Sequence, residues 1–335
     1  MIGTLLALLV FFALFGIFLT QYVPLWMTEN EAQFSAQAST SFAQFKAYVD
    51  SQYLIGGPSV FGTPFQLSSY GVPLIAQPTQ GSLIFVPISC PNGFYVRGET
   101  GANSSNWGQP VNSAYCVFEN ITLSYGPAGS PLFSQHVATG LLEMQLPNRY
   151  YSGQMYYYED DGVVQSQGGP AEIMAVPPPL NITNVDGNTS VTSSYLQMFG
   201  NATTIVGQGS QQVFSHLRYS QTITSGGKYV NGVSQPNTLN VTFEIGTPNP
   251  CAWQRTLWSV VNSTGLSNVA HPSLGQTSYN WSIPGTAGHP SIPVANPVCA
   301  SPTGQTTIIA INLHYVDWTT IFYAGVQVTL GVGGT

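Results

Sequence analysis

The chain has 335 residues and a formal net charge of −7, and only 6% of its residues are charged, against about 25% in ordinary soluble domains. Aromatics reach 12%, including 18 Tyr and 17 Phe, which excludes a disordered chain, because disorder goes with high charge and few aromatics. The basic residues, Lys46, Arg97, Arg149, Arg218, Lys228 and Arg255, are scattered singly, so there is no basic patch for nucleic acid.

Residues 1–19 (MIGTLLALLVFFALFGIFL) carry no charge, and the apolar character continues to Met27. At ~1.5 Å of rise per residue, about twenty such positions match the ~30 Å core of a bilayer. A secretory signal peptide would open on a basic stretch and close at a small-residue cleavage site. Here no Lys or Arg precedes Lys46, and the helical pattern continues past the apolar run. Phe34, Ala38, Phe42, Phe45 and Val49 recur at steps of three and four, an amphipathic stripe. Thr28 followed by Glu31 fits a capping box that restarts the helix after a kink near Pro24. Residues 1–53 are therefore expected to form one long helix, apolar all round at first and amphipathic later. A membrane anchor accounts for the first half alone; the packed core of a polymer accounts for both.

The run IGTLLALLVFFALFGIFL (2–19) resembles the N-terminus of archaeal type IV pilins and archaellins after prepilin-peptidase cleavage. YVPLWMTENEAQ (22–33), MYYYEDDGVVQSQGG (155–169) and MAVPPPLNIT (174–183) are similar to segments of large-headed archaeal pilin-like surface proteins. The sequence departs from bacterial type IV pilins, which carry Glu where this chain has Leu5; many archaeal relatives lack it as well. The resemblance implies that Met1 follows a removed basic leader. It also implies a helical homopolymer built on Met1, Gly3, Leu5, Leu9, Phe12, Gly16, Phe18, Tyr22 and Trp26. Its partners would be other copies of the chain, the membrane before assembly, the prepilin peptidase and the pilus assembly machinery.

From Leu54 onward the pattern changes to short β-type runs broken by Gly, Pro and Asn: 82–88, 114–125, 139–146, 154–161, 238–245 and 306–330. Their alternation and β-branched and aromatic content predict an antiparallel sandwich-like head, with one short helix near Cys251 to Asn262. The fold class is thus α+β, a long hydrophobic helix followed by an all-β head. Val176-Pro177-Pro178-Pro179 is a stiff linker candidate. It divides the head into modules 54–176 and 180–335, the alternative being one continuous head, 54–335.

Four cysteines, Cys90, Cys116, Cys251 and Cys299, form no CxxC and have no nearby His at ligand spacing, which argues against zinc. An even count in an exported chain predicts two disulfides. Three pairings are open; sequence proximity favours Cys90–Cys116 and Cys251–Cys299. N-x-S/T sequons begin at Asn103, Asn120, Asn181, Asn188, Asn201, Asn240, Asn262 and Asn280, pointing to N-linked glycans on an exported surface.

No G-x-S-x-G, HExxH, P-loop or G-x-G-x-x-G signature is present. The five His residues, 136, 216, 271, 289 and 314, are isolated. Neither an enzyme nor a cofactor is expected. The one acidic cluster, Glu159-Asp160-Asp161-Gly162, reads as a hairpin turning at Asp-Gly; its carboxylates also make Glu159, Asp160 and Asp161 a Ca²⁺ candidate. Tyr150, Tyr151, Tyr156, Tyr157 and Tyr158 form either a sugar-stacking platform or cross-strand packing. The expected function is a structural subunit of an extracellular archaeal pilus-like filament, serving adhesion or protection. The alternatives are a membrane-anchored surface glycoprotein or S-layer-like coat protein, an archaellum subunit, and an exported enzyme or lipoprotein.

Overall fold

The computed structural model describes residues 2–57, 59–72, 75–87, 117–125, 131–167, 171–185, 188–226, 229–230, 233–234, 239–268, 278–282 and 307–331. A single helical rod of 54 residues runs Ile2–Ile55. It is α-helical over Ile2–Ile17, π-helical over Phe18–Tyr22 and α-helical again over Val23–Ile55. The π turn explains how the rod passes Pro24, which has no N–H and crowds the preceding turn. The widened turn absorbs it, with the Val23 N–H donating to the Phe18 carbonyl. The expected capping box does not form, because the helix never stops. The Thr28 hydroxyl donates to the Pro24 carbonyl at 2.8 Å, and Glu31 turns away from the helix altogether. The rod ends at Gly56, whose φ of 68° closes a left-handed C-terminal cap.

Behind the helix lie three large sheets. The first has five strands in the order Val60–Gln66, Ser210–Gly226, Trp318–Leu330, Asn188–Phe199 and Asn181–Val185. The second has six, Thr203–Val206, Ser82–Val86, Leu141–Leu146, Gln154–Glu159, Gly162–Ser166 and Glu172–Val176. The third orders Ser267–Asn268, Ser278–Ser282, Thr307–Val316, Leu239–Thr247, Val117–Tyr125 and Pro131–Thr139. Pairing is mostly antiparallel. Asn188–Phe199 and Trp318–Leu330 depart from that expectation and run parallel.

Each sheet takes strands from both sides of Val176–Pro179, so the division into 54–176 and 180–335 does not divide the sheets. The described strands of the head interleave instead. The predicted run 306–330 is two strands, broken at Asp317 and placed in different sheets. Asp317 fixes the crossing: its carboxylate accepts the Thr189 N–H at 2.7 Å and its own N–H donates to the Thr189 carbonyl at 2.8 Å.

Two cores result. In the first, the helical stripe Phe34, Ala38, Phe42, Phe45 and Val49 packs against Phe65, Val213 and Val326 of the five-stranded sheet and Leu83, Met144, Tyr156 and Tyr158 of the second sheet. Burying each such side chain contributes ~1.5–3 kcal/mol, and this stripe is what holds the rod to the head. In the second core, Trp253, Leu257 and Val261 of the helix Pro250–Asn262 pack on Ile121, Phe243 and Ile311 of the third sheet. That short helix has no side-chain cap of its own; the Glu172 carboxylate, from the second sheet, accepts the Cys251 N–H at 3.1 Å.

Candidate assembly helix and its junction with the head

No residue of Ile2–Tyr22 is buried, although the segment is apolar on every side. Leu5 and Leu9 are 70% and 64% exposed, and Phe12, Tyr22 and Trp26 are also exposed. Phe18 is half-buried, with its ring centroid 5.5 Å from that of Trp26. A Cβ built on Gly3 or Gly16 would meet nothing within 4 Å. Met1 lies outside the described residues. The rod is long and apolar enough to cross a membrane, with a mean hydropathy of 2.7 over its most apolar stretch.

From Val23 the helix enters the head, and two buried charged side chains interrupt its apolar stripe. The first is Glu31, fully buried. Its carboxylate accepts the backbone N–H groups of Arg149, Tyr150 and Tyr151 at 3.0, 2.7 and 2.8 Å, and the Thr79 hydroxyl as well. Burial works to raise its pKa, but the donors of Thr79, Arg149, Tyr151 and Tyr150 outweigh it and hold Glu31 below its ordinary value.

The second is Lys46. Its ammonium lies 3.0 Å from Asp50, one turn along the helix, and 3.1 Å from Asp161 of the head. Asp161 is fully buried and is held by the Tyr158 hydroxyl at 2.8 Å and the Ser194 hydroxyl at 2.6 Å. The Tyr53 hydroxyl reaches both acids, 3.1 Å from Asp50 and 3.4 Å from Asp161. Burial and the negative charge of Asp161 push Asp50 up to about 7 against the opposing pull of Lys46.

The acidic cluster does form a hairpin, but the turn sits one residue earlier than the Asp-Gly reading. Asp160 and Asp161, with φ of 44° and 59°, are the two central residues, and Gly162 already pairs with Glu159. Both central φ values are positive, the requirement of a type I′ turn. Glu159, Asp160 and Asp161 do not converge as cation ligands. Glu159 faces the second core, accepting from Thr247 at 2.7 Å and Trp253 at 2.8 Å, whereas Asp161 faces Lys46. Among the described residues, no group of three or more His, Cys, Asp or Glu side chains is placed to hold a metal. Burial raises Glu159 to about 7 despite its hydrogen bonds. Burial and neighbouring carboxylates also raise Asp160 and Glu119 well above the carboxylate range.

Of the cysteines, Cys251 is buried at the start of Pro250–Asn262; Cys90, Cys116 and Cys299 lie outside the described residues. Of the sequon asparagines, Asn181, Asn201 and Asn262 are exposed and Asn240 is buried in the Leu239–Thr247 strand. Asn120, Asn188 and Asn280 lie in strands, and Asn103 is outside the described residues. The tyrosines divide. Tyr156 and Tyr158 are buried in the first core, while Tyr150 and Tyr151 are exposed at the loop that Glu31 holds. A groove of about 400 Å³ runs beside the helix, lined by Ala36, Gln37, Thr40, Ser41, Pro64, Gln66, Tyr70 and Ser210; it gathers amides and hydroxyls without an acid, a base or a thiol.

Sequence reasoning missed Glu31 as an anchor and Lys46 as the partner of Asp161. The available signal was a charged side chain on an apolar stripe, with Lys46 directly following Phe45 and Asp50 four residues on. The chain matches no family model, no curated protein and no solved structure.

Proposed function

We propose that this chain is the structural subunit of an extracellular archaeal type IV pilus-like filament, polymerising through its N-terminal helix and displaying its β-rich head for adhesion or protection. The observation that carries the reading is the division of labour along one unbroken rod. Residues 23–52 supply the stripe that the head covers, and residues 2–22, apolar on all sides, are buried by none of the described residues. Left in water, those side chains forgo ~1.5–3 kcal/mol each, so another copy or a lipid must take them up.

A membrane-anchored glycoprotein is the second reading, favoured by the length and hydropathy of the rod. In the filament reading the same segment holds the subunit in the membrane until assembly. What separates the two is the joint. An anchor works equally well on a loose tether, whereas this apolar segment passes into the clamped helix with no break. A rigid joint transmits the register of a helical core to the heads. Exposed sequons at Asn181, Asn201 and Asn262 fit glycans on the outer surface. Microscopy of surface filaments, with sequencing of their subunit, tests the proposal. Filaments made of this chain support it; a chain found only as monomer in the membrane overturns it.

A further inference from the structure

We propose that Lys46 and Asp161 condense into an intramolecular isopeptide bond that ties the helix covalently to the head, with Asp50 as the residue that moves the proton. The inference stands whether the helix ends in a polymer or in a membrane.

The reacting groups are in place. Lys46 Nζ touches the carboxyl group that would acylate it, 3.1 Å from Asp161 Oδ1, so no diffusion is needed to bring amine and carboxyl together. The Asp161 carboxyl is fully buried and gripped from both sides, by Tyr158 at Oδ1 and Ser194 at Oδ2. These hydroxyls donate to the oxygens on which charge builds as the amine adds. Burial and the Asp161 charge raise the Tyr158 pKa, which keeps it a donor. Asp50 touches Nζ through both carboxylate oxygens, at 3.1 and 3.0 Å, and shares the Tyr53 hydroxyl with Asp161, at 3.1 and 3.4 Å. It therefore contacts the proton source directly and reaches the leaving oxygen, Asp161 Oδ2, through the Tyr53 hydroxyl. Asp50 is also the open side of the trio, 29% exposed against 6% for Lys46 and 0% for Asp161, which gives the released water a way out.

The reaction balances without an oxidant or a co-reactant. Lys46 passes one ammonium proton to the Asp161 carboxylate, and the neutral amine then adds to Cγ. Protonated Asp50 delivers its proton through the Tyr53 hydroxyl to the departing oxygen and takes one from nitrogen. The Nζ–Cγ bond forms, one Cγ–O bond breaks, water leaves and Asp50 ends as it began. A fully buried carboxylate beside a buried ammonium is costly to keep out of water; the amide removes one charge of each sign. Lys46 is one of only two lysines in the chain.

Peptide mapping of the folded, full-length chain tests the bond. Cleavage after glutamate gives the segments 32–99 and 160–172, neither of which carries a sequon, so glycans do not obscure the readout. The expected result is a branched peptide joining the two segments, lighter by one water than its linear parts and absent from Lys46→Arg. Only linear peptides from the wild-type chain would overturn the proposal. Asp50→Asn should slow formation of the branched peptide by about a hundredfold or more, the usual contribution of a positioned acid–base group. Formation at the wild-type rate in that variant would overturn the part given to Asp50.

Discussion

The Glu31 carboxylate receives the Tyr150 backbone N–H at 2.7 Å, joining the helix to a loop 119 residues away in sequence. With the N–H groups of Arg149 and Tyr151 it forms an anion-binding cradle for a helical side chain. Because its pKa is lowered from the ordinary 4.5, Glu31 contributes stability that is present above that value and lost as pH falls through the folded one. Replacing it with Gln should cost ~2–3 kcal/mol at neutral pH, the scale of hydrogen bonds to a charged group. Denaturant unfolding of both proteins should show the gap shrinking below pH 4.5.

Glu159 has the opposite sign. Its pKa is raised from 4.5 to about 7, so the folded state holds a proton that the unfolded state has released. Stability therefore falls as pH rises from 4.5 to about 7 and stays lowered above it. The raised pKa corresponds to ~3 kcal/mol. Glu159→Gln keeps an acceptor for Thr247 and Trp253 and cannot ionise. The variant should lose less stability than wild type between pH 5 and pH 8, as read by urea midpoints.

The helix was legible in the sequence because its signals are local. Five stripe positions, Phe34 to Val49, are all buried in the first core. Most of the β-type runs appear as strands within a few residues of the expected bounds. What could not be read depends on distant partners. Glu31 looks like a capping residue until the loop at 149–151 is brought to it, and Asp161 looks like a solvated turn until Lys46 meets it. The strands Asn188–Phe199 and Ser210–Gly226 escaped notice because Ser, Thr and Gln fill many of their positions. The split at Asp317 is set by its bonds to Thr189, which no run of residues announces.

The stripe, more than the polar anchors, should govern attachment of the helix. Phe42 and Phe45 are completely buried, and Phe42 packs edge-on against Phe65 with ring centroids 5.0 Å apart. Phe42→Ala or Phe45→Ala should lower stability by ~3–5 kcal/mol. Native-state proteolysis should then cut within Val23–Ile55 in these variants well before it does in wild type.

The sequons differ in access. Glycopeptide mapping should find sugar on Asn181, Asn201 and Asn262, which are exposed, and none on Asn240, which is buried. A glycan on Asn240 would require the Leu239–Thr247 strand to open. A bare polypeptide at all eight sequons would leave glycans no part in keeping so weakly charged a head soluble.

Packing of the uncovered helix against other copies of itself is put to the test by two variants, Gly16→Leu and Leu9→Glu. Within one chain a Cβ at Gly16 meets nothing within 4 Å, and Leu favours a helix over Gly by ~0.8–1 kcal/mol. An anchor would be unharmed. In a bundle of close-packed helices the same side chain fills space another helix needs. Glu at position 9 costs ~3 kcal/mol in a bilayer, but in a polymer it is an unpaired buried charge in every subunit. Counting surface filaments by electron microscopy, alongside head melting temperatures, gives the answer. Both variants should be expressed with unchanged head stability and make few filaments or none. Normal filaments from both would show that the helix does not serve as a polymer core.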